Sequence, residues 1–409
     1  MFSRKKLKKR LDKISIRNIL SIRYNPEEKP LFPPSSWQDF KTKQTDPIGN
    51  TTQRLIQNNI KDALEFTDEP ITISLSGGID STLCLALLRK VLPDKKITAI
   101  CGVFKRGFDE SHVAKKIAKK FQANFKLVHM ESIFTYMPEL ISVSGKPKWN
   151  TYQHLIAREA KKHSSILITG DGADEVFGGY VFRYNKFNNI SRPRDNWKLK
   201  TINYLECHNR DWIPDQESIF AHKIKFNWEK IYNYFKPYFS NPLESLKQVM
   251  LADFNGKLLY DFIPAGKTIY DSYNIDHIPL FLEQKLVKFA LSLPLNQKYD
   301  SKKQKGKLIL RKIAKRLEID HIEQKRGFSP NLLFDWKDKG RKICQNYILQ
   351  KDSYIFRNKL INYNWVIRAF ERVENDGDIR YLNRLISILA LEIWYRIFIT
   401  NEMKRNYKL

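Results

Sequence analysis

The fold is decided by a stretch at residues 71–81 that reads ITISLSGGIDS. The apolar run 71–75 is typical of a buried β-strand, and the Gly77-Gly78 pair ends it with a sharp turn. A helix that begins after such a turn offers free N–H groups and the positive end of its dipole. The stretch therefore predicts a strand, a turn and a helix around a phosphate. An ordinary glycine turn is the alternative, and a Walker A loop is excluded because no GK[ST] follows.

Around this stretch, apolar runs alternate with helical segments along the chain. Further strands are predicted at Ile97–Phe104, 125–128 and Ile166–Thr169, with helices between them at 81–92, 109–121 and 152–162. This alternation predicts an α/β fold, with a parallel sheet that carries helices on both faces. Ligands of such sheets bind at the carboxyl ends of the strands.

Composition divides the chain into three parts. Residues 1–50 form a basic extension with a Pro-rich connector, 51–185 the α/β core, and 186–409 a mostly helical part rich in aromatic residues. The clearest helical patterns of the last part lie at 307–317 and 381–399. The second of these is apolar but contains Glu392 and Arg396, so it predicts a buried helix and no membrane span.

A second glycine-rich motif, GDGADEVFGGY at residues 170–180, follows the strand Ile166–Thr169. It places the carboxylates of Asp171, Asp174 and Glu175 on a loop opened by glycines, a natural site for magnesium and pyrophosphate. The spacing excludes an EF-hand. A solvated acidic turn is the alternative, and it rarely stands between an apolar strand and an aromatic-Gly-Gly run.

The formal net charge of +28 favours association with polyanions such as nucleotides, RNA or anionic lipid surfaces. A general lysine bias of the proteome explains it equally well. Basic residues are concentrated at 4–13, where a short amphipathic helix could bind RNA or a membrane, or could dock on the body of the protein. Four cysteines without a CxxC pair or zinc spacing favour a reduced, cytoplasmic protein. No apolar stretch follows the basic start, so no secretory signal is expected.

Taken together, the two glycine motifs resemble the synthetase domain of the asparagine synthetase family, a PP-loop ATP pyrophosphatase fold. The family's pattern is SGG-Leu-Asp-Ser followed by GEG-Ser/Ala-Asp-Glu-x-Phe-Gly-Gly-Tyr. Residues 324–330, QKRGFSP, resemble its Lys-x-Gly-Phe-x-x-Pro segment, and 108–110, FDE, its Asp-Glu before the second helix. A helix with a Lys-x-x-Leu-Arg-like start precedes the third motif at 307–317. The resemblance covers roughly residues 50–400.

The resemblance implies an enzyme that transfers a carboxylate to the AMP portion of ATP, releases pyrophosphate and then forms an amide. Its cofactors would be ATP and Mg²⁺. Residue by residue, it implies that ATP phosphates are bound by Ser76, Gly77, Gly78, Asp80 and Ser81. It implies an adenosine site lined by Leu75, by Val103 (unless Cys101 or Gly102 aligns there) and by the backbone of Thr169 and Gly170. It implies magnesium at Asp80 and Asp174, with Asp174 also acting on pyrophosphate. Lys325 would contact the α-phosphate, and Asp171 would take the proton of the attacking amine.

Two departures from the family's pattern concern the second half of the reaction. Asp171 stands where the family has Glu, and the segment Glu-x-Arg-x-Pro-Phe-Leu-Asp appears only as DHIPLFLE at 276–283. Position 2 is Phe2, and only about fifty residues precede the α/β core, so no family-type glutaminase is expected in the chain. The amine would then be free ammonia, an amine of the substrate itself, or ammonia from a separate glutaminase subunit.

Several functions remain open from sequence. An asparagine synthetase-type ligase would use aspartate and ammonia by default. A relative that forms an amide on a peptide or small metabolite, like lactam- and lasso-forming members, would fit the departures near the second substrate. A PP-loop enzyme that modifies RNA would fit the charge, although such enzymes lack the GDGADE loop. A non-catalytic scaffold is disfavoured by the intact Asp80, Asp174 and Lys325.

Overall fold

The computed structural model describes residues 11–107, 109–150, 152–208, 211–319 and 330–409. Within these ranges, five parallel strands form the central sheet in the order β3-β2-β1-β4-β5. The strands are β1 Ile71–Ser74, β2 Ile97–Phe104, β3 Asn124–Met130, β4 Ile166–Thr169 and β5 Asp276–Pro279. A short antiparallel pair lies apart from it, β6 Tyr299–Asp300 and β7 Lys305–Gly306.

Helices cover both faces of the sheet and make up most of the rest of the described chain. In chain order they are α1 Lys13–Ile22, α2 Asn50–Leu64, α3 Ile79–Val91, α4 Ser111–Lys120, α5 Met137–Ser144, α6 Gln153–Ala160, α7 Ala173–Phe177, α8 Val181–Ile190, α9 Trp197–Glu206, α10 Trp228–Phe239, α11 Ser245–Asp253, α12 Ile263–Ser272, α13 Gln284–Leu291, α14 Leu308–Arg316, α15 Leu332–Asp335, α16 Arg341–Ile348, α17 Tyr354–Arg357, α18 Tyr363–Asp376 and α19 Ile379–Phe398. A π-helical segment, Phe254–Phe262, joins α11 to α12.

The parallel sheet with helices on both faces confirms the fold predicted from sequence. Side chains alternate across the strands, so each strand feeds two separate cores. Ile71 and Ile73 of β1 pack with α3 on one face, whereas Ile100 of β2 and Leu167 of β4 pack with α5, α6 and α12 on the other. Strands buried on both sides are expected to be continuous apolar runs, which is why these runs were visible in the sequence.

The prediction that residues after 185 are mostly helical is confirmed, and the fifth strand of the sheet is a short exception among those helices. β5 has only four residues, DHIP, and pairs with β4 so that Leu167 is level with His277. Its composition lacks the apolar run that marks the other strands. The sheet therefore draws on residues beyond 185, and the proposed division of the chain at 50 and 185 stays a prediction.

The N-terminal helix α1 docks on the body of the protein. Asp12 caps it, since its side chain accepts a hydrogen bond from the backbone N–H of Ser15. Ile16 and Leu20 are buried against the C-terminal helices. Arg17 is buried as well, and its Nη2 donates to the hydroxyl of Tyr234 at 2.9 Å. Among the alternatives for this segment, docking holds for α1, while the basic residues 4–10 lie outside the described ranges.

The longest described helix, α19, forms the centre of the C-terminal core. It is buried along nearly its whole length, Glu392 included. That carboxylate accepts hydrogen bonds from the backbone N–H groups of Tyr354 and Ile355 and from Arg396 Nε, which offset its desolvation. No helix in the part of the chain that the structure describes is long and apolar enough to cross a membrane. All four cysteines are free and buried.

Candidate active site

The two glycine motifs meet between β1 and β4, where the order in which strands are added to the sheet reverses. From β1 the chain runs outward through β2 and β3, and it then returns to place β4 on the other side of β1. Loops that leave neighbouring strands at such a switch point open a crevice at the carboxyl edge of the sheet. The loop 75–78 follows β1 and the loop 170–172 follows β4. The topology therefore brings both motifs to one edge.

The first loop is organised around its own backbone N–H groups. Ser76 N–H donates to Ser81 Oγ at 3.0 Å, and Gly78 N–H donates to Ser76 Oγ at 3.1 Å. Gly77 N–H donates to the carboxylate of Glu110, just ahead of α4, at 2.9 Å. An anionic oxygen thus already lies against this loop, which indicates that its N–H groups can bind a phosphate oxygen. The sequence marked Glu110 only as part of a family-like pair.

The second loop lies directly against the first. A Cβ at Gly170 would come within 2.9 Å of Asp80 Cβ and 3.2 Å of the Ser81 nitrogen. Real Cβ atoms do not approach a neighbour that closely, so only glycine permits this contact. The close approach places Asp80, at the start of α3, beside the loop that leads into α7, whose first turn contains Asp174.

A lysine that the sequence did not identify as a site residue joins the two loops. Lys307 directly precedes α14 in the left-handed region, with φ 56°, and its backbone N–H donates to the Phe177 carbonyl at 3.2 Å. Its Nζ lies 2.5 Å from Asp80 Oδ2 and 2.6 Å from Asp174 Oδ1. The side chain is only 5% exposed. Two carboxylates and one ammonium therefore converge at a nearly dry point between the loops.

The Phe-Gly-Gly-Tyr run makes room for this ion pair. A Cβ at Gly179 would lie 1.9 Å from Asp174 Oδ1 and 2.4 Å from Lys307 Cε. Any side chain there would force the carboxylate and the ammonium apart. Gly179 of the second glycine motif is thus required because Lys307, which lies outside that motif, packs against it.

The site has a donor set that fits magnesium. The carboxylates of Asp80 and Asp174 point to one place, and Mg²⁺ is usually held by one or two carboxylates together with phosphate oxygens and water. Among the described residues, no group of three or more His, Cys, Asp and Glu side chains could hold a metal by itself. Magnesium at this place would consequently need phosphate oxygens to complete its coordination, as expected for a nucleotide-bound ion.

A buried glutamate, Glu175 of α7, lies behind the second loop. Glu175 is almost fully buried, and the hydroxyl of Tyr180 donates to its Oε1 at 2.5 Å. Burial, together with the nearby Asp174 carboxylate, raises the pKa of Glu175 to about 7. Arg183 lies over the Tyr180 ring at 4.3 Å and pairs with the buried Asp253. This network fixes α7 and the residues that follow it.

The residues predicted to line the adenosine site lie at the same edge. Leu75, Val103 and Thr169 are all buried, and Leu75 N–H donates to the Ile100 carbonyl at 2.8 Å. β2 is level with Ser74 of β1 at Ile100 and continues to Phe104, so Val103 lies beyond the end of β1. The structure brings Leu75 and Thr169 together with both loops, and their role stays a prediction.

Asp171 lies on the β5 side of the site. Its side chain is 48% exposed, and its Oδ2 accepts a hydrogen bond from Thr169 Oγ1 at 2.9 Å. His277 of β5, which the sequence did not identify, places its Nε2 2.8 Å from the same hydroxyl and 3.5 Å from Asp171 Oδ2. His277 belongs to the segment 276–283, which matches the family's pattern only loosely, so the sequence did not single it out.

Lys325, predicted to contact the α-phosphate, lies outside the described residues.

Comparison with known proteins finds a relative that matches most of the chain. It is the asparagine synthetase [glutamine-hydrolyzing] 1 of Bacillus subtilis (strain 168), which is 24% identical over 399 residues, 88% of this chain and 61% of the relative. The chain thus spans about three fifths of the length of that protein.

Two solved structures have a distant likeness to part of the chain. An NH3-dependent NAD synthetase from Campylobacter jejuni is 18% identical with a TM-score of 0.23, covering 36% of this chain and 61% of its own. A U34-tRNA thiolase, NcsA from Methanococcus maripaludis, is 15% identical with a TM-score of 0.25, covering 55% of this chain and 78% of its own. Likenesses as slight as these say nothing about substrates.

The family model described as asparagine synthase matches residues 51–396, which include both glycine loops, β5 and Lys307. That match covers most of the chain and both sides of the candidate site. The chain belongs to the asparagine synthase family.

Proposed function

We propose that this chain is an ATP-dependent ligase that activates a carboxylate as its adenylate and then forms an amide. Aspartate and ammonia are the default substrates. The observation that carries the proposal is the convergence of Asp80, Asp174 and Lys307 beside two glycine loops at the switch point of a parallel sheet. Membership of the asparagine synthase family supports the same reaction class.

The arrangement suits the chemical difficulty of the first step. A carboxylate acylates poorly because its leaving group would be an oxide, whereas an acyl adenylate releases AMP. Carboxylate and triphosphate are both anions, so their encounter requires fixed positive charge. Lys307 supplies a buried ammonium, the loop N–H groups would bind phosphate oxygens, and magnesium at Asp80 and Asp174 would neutralise pyrophosphate. We propose Lys325 as a further cation at the α-phosphate, as the family resemblance implies.

A second candidate has a specific basis in the residues around β5. Asp171 and His277 replace the glutamate and arginine expected from the family's pattern, and both lie at the β4–β5 edge, where Asp171 is the residue that the resemblance implies as the base. The ligase could therefore form an amide on a peptide or small metabolite. A separate glutaminase subunit as the source of ammonia belongs to the first candidate only.

The proposal is tested by acid-dependent exchange of labelled pyrophosphate into ATP. A panel that contains aspartate, glutamate, other small carboxylic acids and short acidic peptides would be screened for stimulation of exchange. Asp80→Ala should abolish the exchange, whereas Asp62→Ala, at an exposed position of α2, should not change it.

Exchange with aspartate supports the default reaction, and exchange with a peptide supports the second candidate. Full exchange by Asp80→Ala would contradict the role of the convergent site. If no acid supports exchange while tRNA stimulates AMP release, the RNA-modifying alternative replaces the ligase.

A further inference from the structure

The structure contains a hydrogen-bonded chain of three side chains at the β4–β5 edge. Residues paired across parallel strands face the same side of a sheet, and so do residues two apart on one strand. Leu167 is level with His277, so Thr169, two residues further along β4, faces the same side as His277. Asp171 follows on the loop. His277 and Thr169 are therefore diagonal neighbours, and their contact is fixed by the register of the sheet.

The imidazole of His277 is held in a defined orientation. The ring packs against Tyr270 of α12, with centroids 4.1 Å apart and the ring planes tilted by 32°, and Tyr270 is itself buried. His277 is 17% exposed, whereas Asp171 is 48% exposed. Asp171 thus reaches solvent, whereas His277 is packed against α12.

The direction of the hydrogen bonds follows from the available protons. A hydroxyl has one proton, and an ionised carboxylate can only accept. Thr169 Oγ1 uses its one proton to donate to Asp171 Oδ2. Toward His277 the hydroxyl oxygen can therefore only accept, and the donor is Nε2–H. The chain therefore runs from His277 Nε2–H through the Thr169 hydroxyl to the Asp171 carboxylate.

We propose that His277 and Thr169 are positioning residues that hold Asp171 as the base for amide formation, an inference that rests on the function proposed above. Asp171 has one methylene less than the glutamate expected from the family's pattern. His277 stands two residues before Pro279, where the pattern has arginine. The histidine compensates for the shorter side chain, because the hydrogen bonds from His277 through Thr169 hold the Asp171 carboxylate in place.

The proposed step conserves atoms and electrons. The amine nitrogen attacks the acyl carbon of the adenylate and forms the C–N bond. The C–O bond to AMP breaks, and AMP leaves with the electron pair. One proton of the attacking nitrogen passes to Asp171 and then to water, which the half-exposed side chain can reach. His277 and Thr169 retain their own protons and act through Asp171.

The test compares the two half-reactions in matched variants. His277→Leu removes the donor, Thr169→Val removes the hydroxyl, and His277→Gln keeps an N–H donor in place of Nε2. We expect the ratio of amide formation to pyrophosphate exchange to fall about ten- to a hundredfold in His277→Leu and Thr169→Val, with His277→Gln close to the wild type. Asp171→Asn should lower the ratio at least as far.

Equal loss of both half-reactions, or an unchanged ratio in Thr169→Val, would overturn the inference. If His277→Leu fails to fold, because its packing against Tyr270 is lost, Thr169→Val and His277→Gln still decide the outcome.

A second readout needs no substrate. In protein with labelled histidine, nitrogen NMR should show His277 protonated at Nε2, and Asp171→Asn should change its signal. A ring protonated only at Nδ1 would refute the proposed hydrogen bond from His277 to Thr169, even if the ligase were active. Conversely, failure of every acid in the exchange screen would sink the proposed function while the NMR result still tests the chain of hydrogen bonds.

Discussion

The two sides of the carboxyl edge differ in how closely they follow the family's pattern. Between β1 and β4, the loops at 75–78 and 170–172 keep the pattern, apart from Asp171, which lies toward β5, and Lys307 lies there between two carboxylates. On the β5 side, His277 and the run DHIPLFLE depart from it. In the proposed reaction, the pattern is thus retained where phosphates would be neutralised and changed where an amine would lose a proton. We therefore expect changes on the two sides to affect different half-reactions.

Lys307→Met should have the largest effect on the nucleotide side. It removes the buried ammonium that contacts both Asp80 and Asp174 and leaves the two carboxylates close together in a nearly dry site. We expect acid-dependent pyrophosphate exchange to fall about a hundred- to a thousandfold. Lys305→Met, at an exposed position on β7, is the matched control. Thermal unfolding of both variants would separate lost charge from lost fold, and exchange within about threefold of the wild type would show that Lys307 is only structural.

Gly179→Ala should have a smaller but still specific effect. The added Cβ would overlap Asp174 Oδ1 and press on Lys307 Cε, so the ion pair must open. We expect exchange to fall about tenfold or more, with destabilisation of about 1–3 kcal/mol. Gly377→Ala is the control: its φ of +63° also strains an alanine, but its nearest neighbour is 3.9 Å away and belongs to Leu333. It should cost about 1 kcal/mol and leave exchange unchanged. Equal activity losses in both variants would mean that general destabilisation explains them.

The smallest expected effect is a pH dependence of stability beneath the nucleotide loop. The pKa of Glu175 is about 7 in the folded protein, whereas the ordinary pKa of a glutamate is 4.5. Since the folded pKa is raised, its contribution to stability is complete below about pH 4.5 and is lost as pH rises through 7. Relative to Glu175→Gln, the free energy of unfolding of the wild type should fall by on the order of 1–3 kcal/mol between those limits. Urea unfolding at pH 5 and pH 8 measures this, and parallel behaviour of the two proteins would refute a neutral buried acid.

Sequence reasoning located the parts of the site that are local in the chain. The strands β1, β2 and β4 were visible as apolar runs because both their faces are buried, and the glycine loops were visible beside them. β5 was not, because four residues that include Asp, His and Pro carry no strand pattern. Lys307 and His277 were missed for a related reason. Each reaches the site only because a distant segment folds against the loops, and the Lys-x-x-Leu-Arg-like start at 307–311 does not by itself show what its lysine contacts.

The most direct test of acyl-adenylate formation follows the oxygen atoms. The acid that supports exchange, aspartate first, would carry a heavy-oxygen label in its carboxylate and would be turned over with ATP and an amine. If the carboxylate attacks the α-phosphorus, AMP retains one carboxylate oxygen when the amide forms, and phosphorus NMR will show the labelled AMP. If the label appears in inorganic phosphate together with ADP, the acid is activated as an acyl phosphate, which would contradict activation as an adenylate.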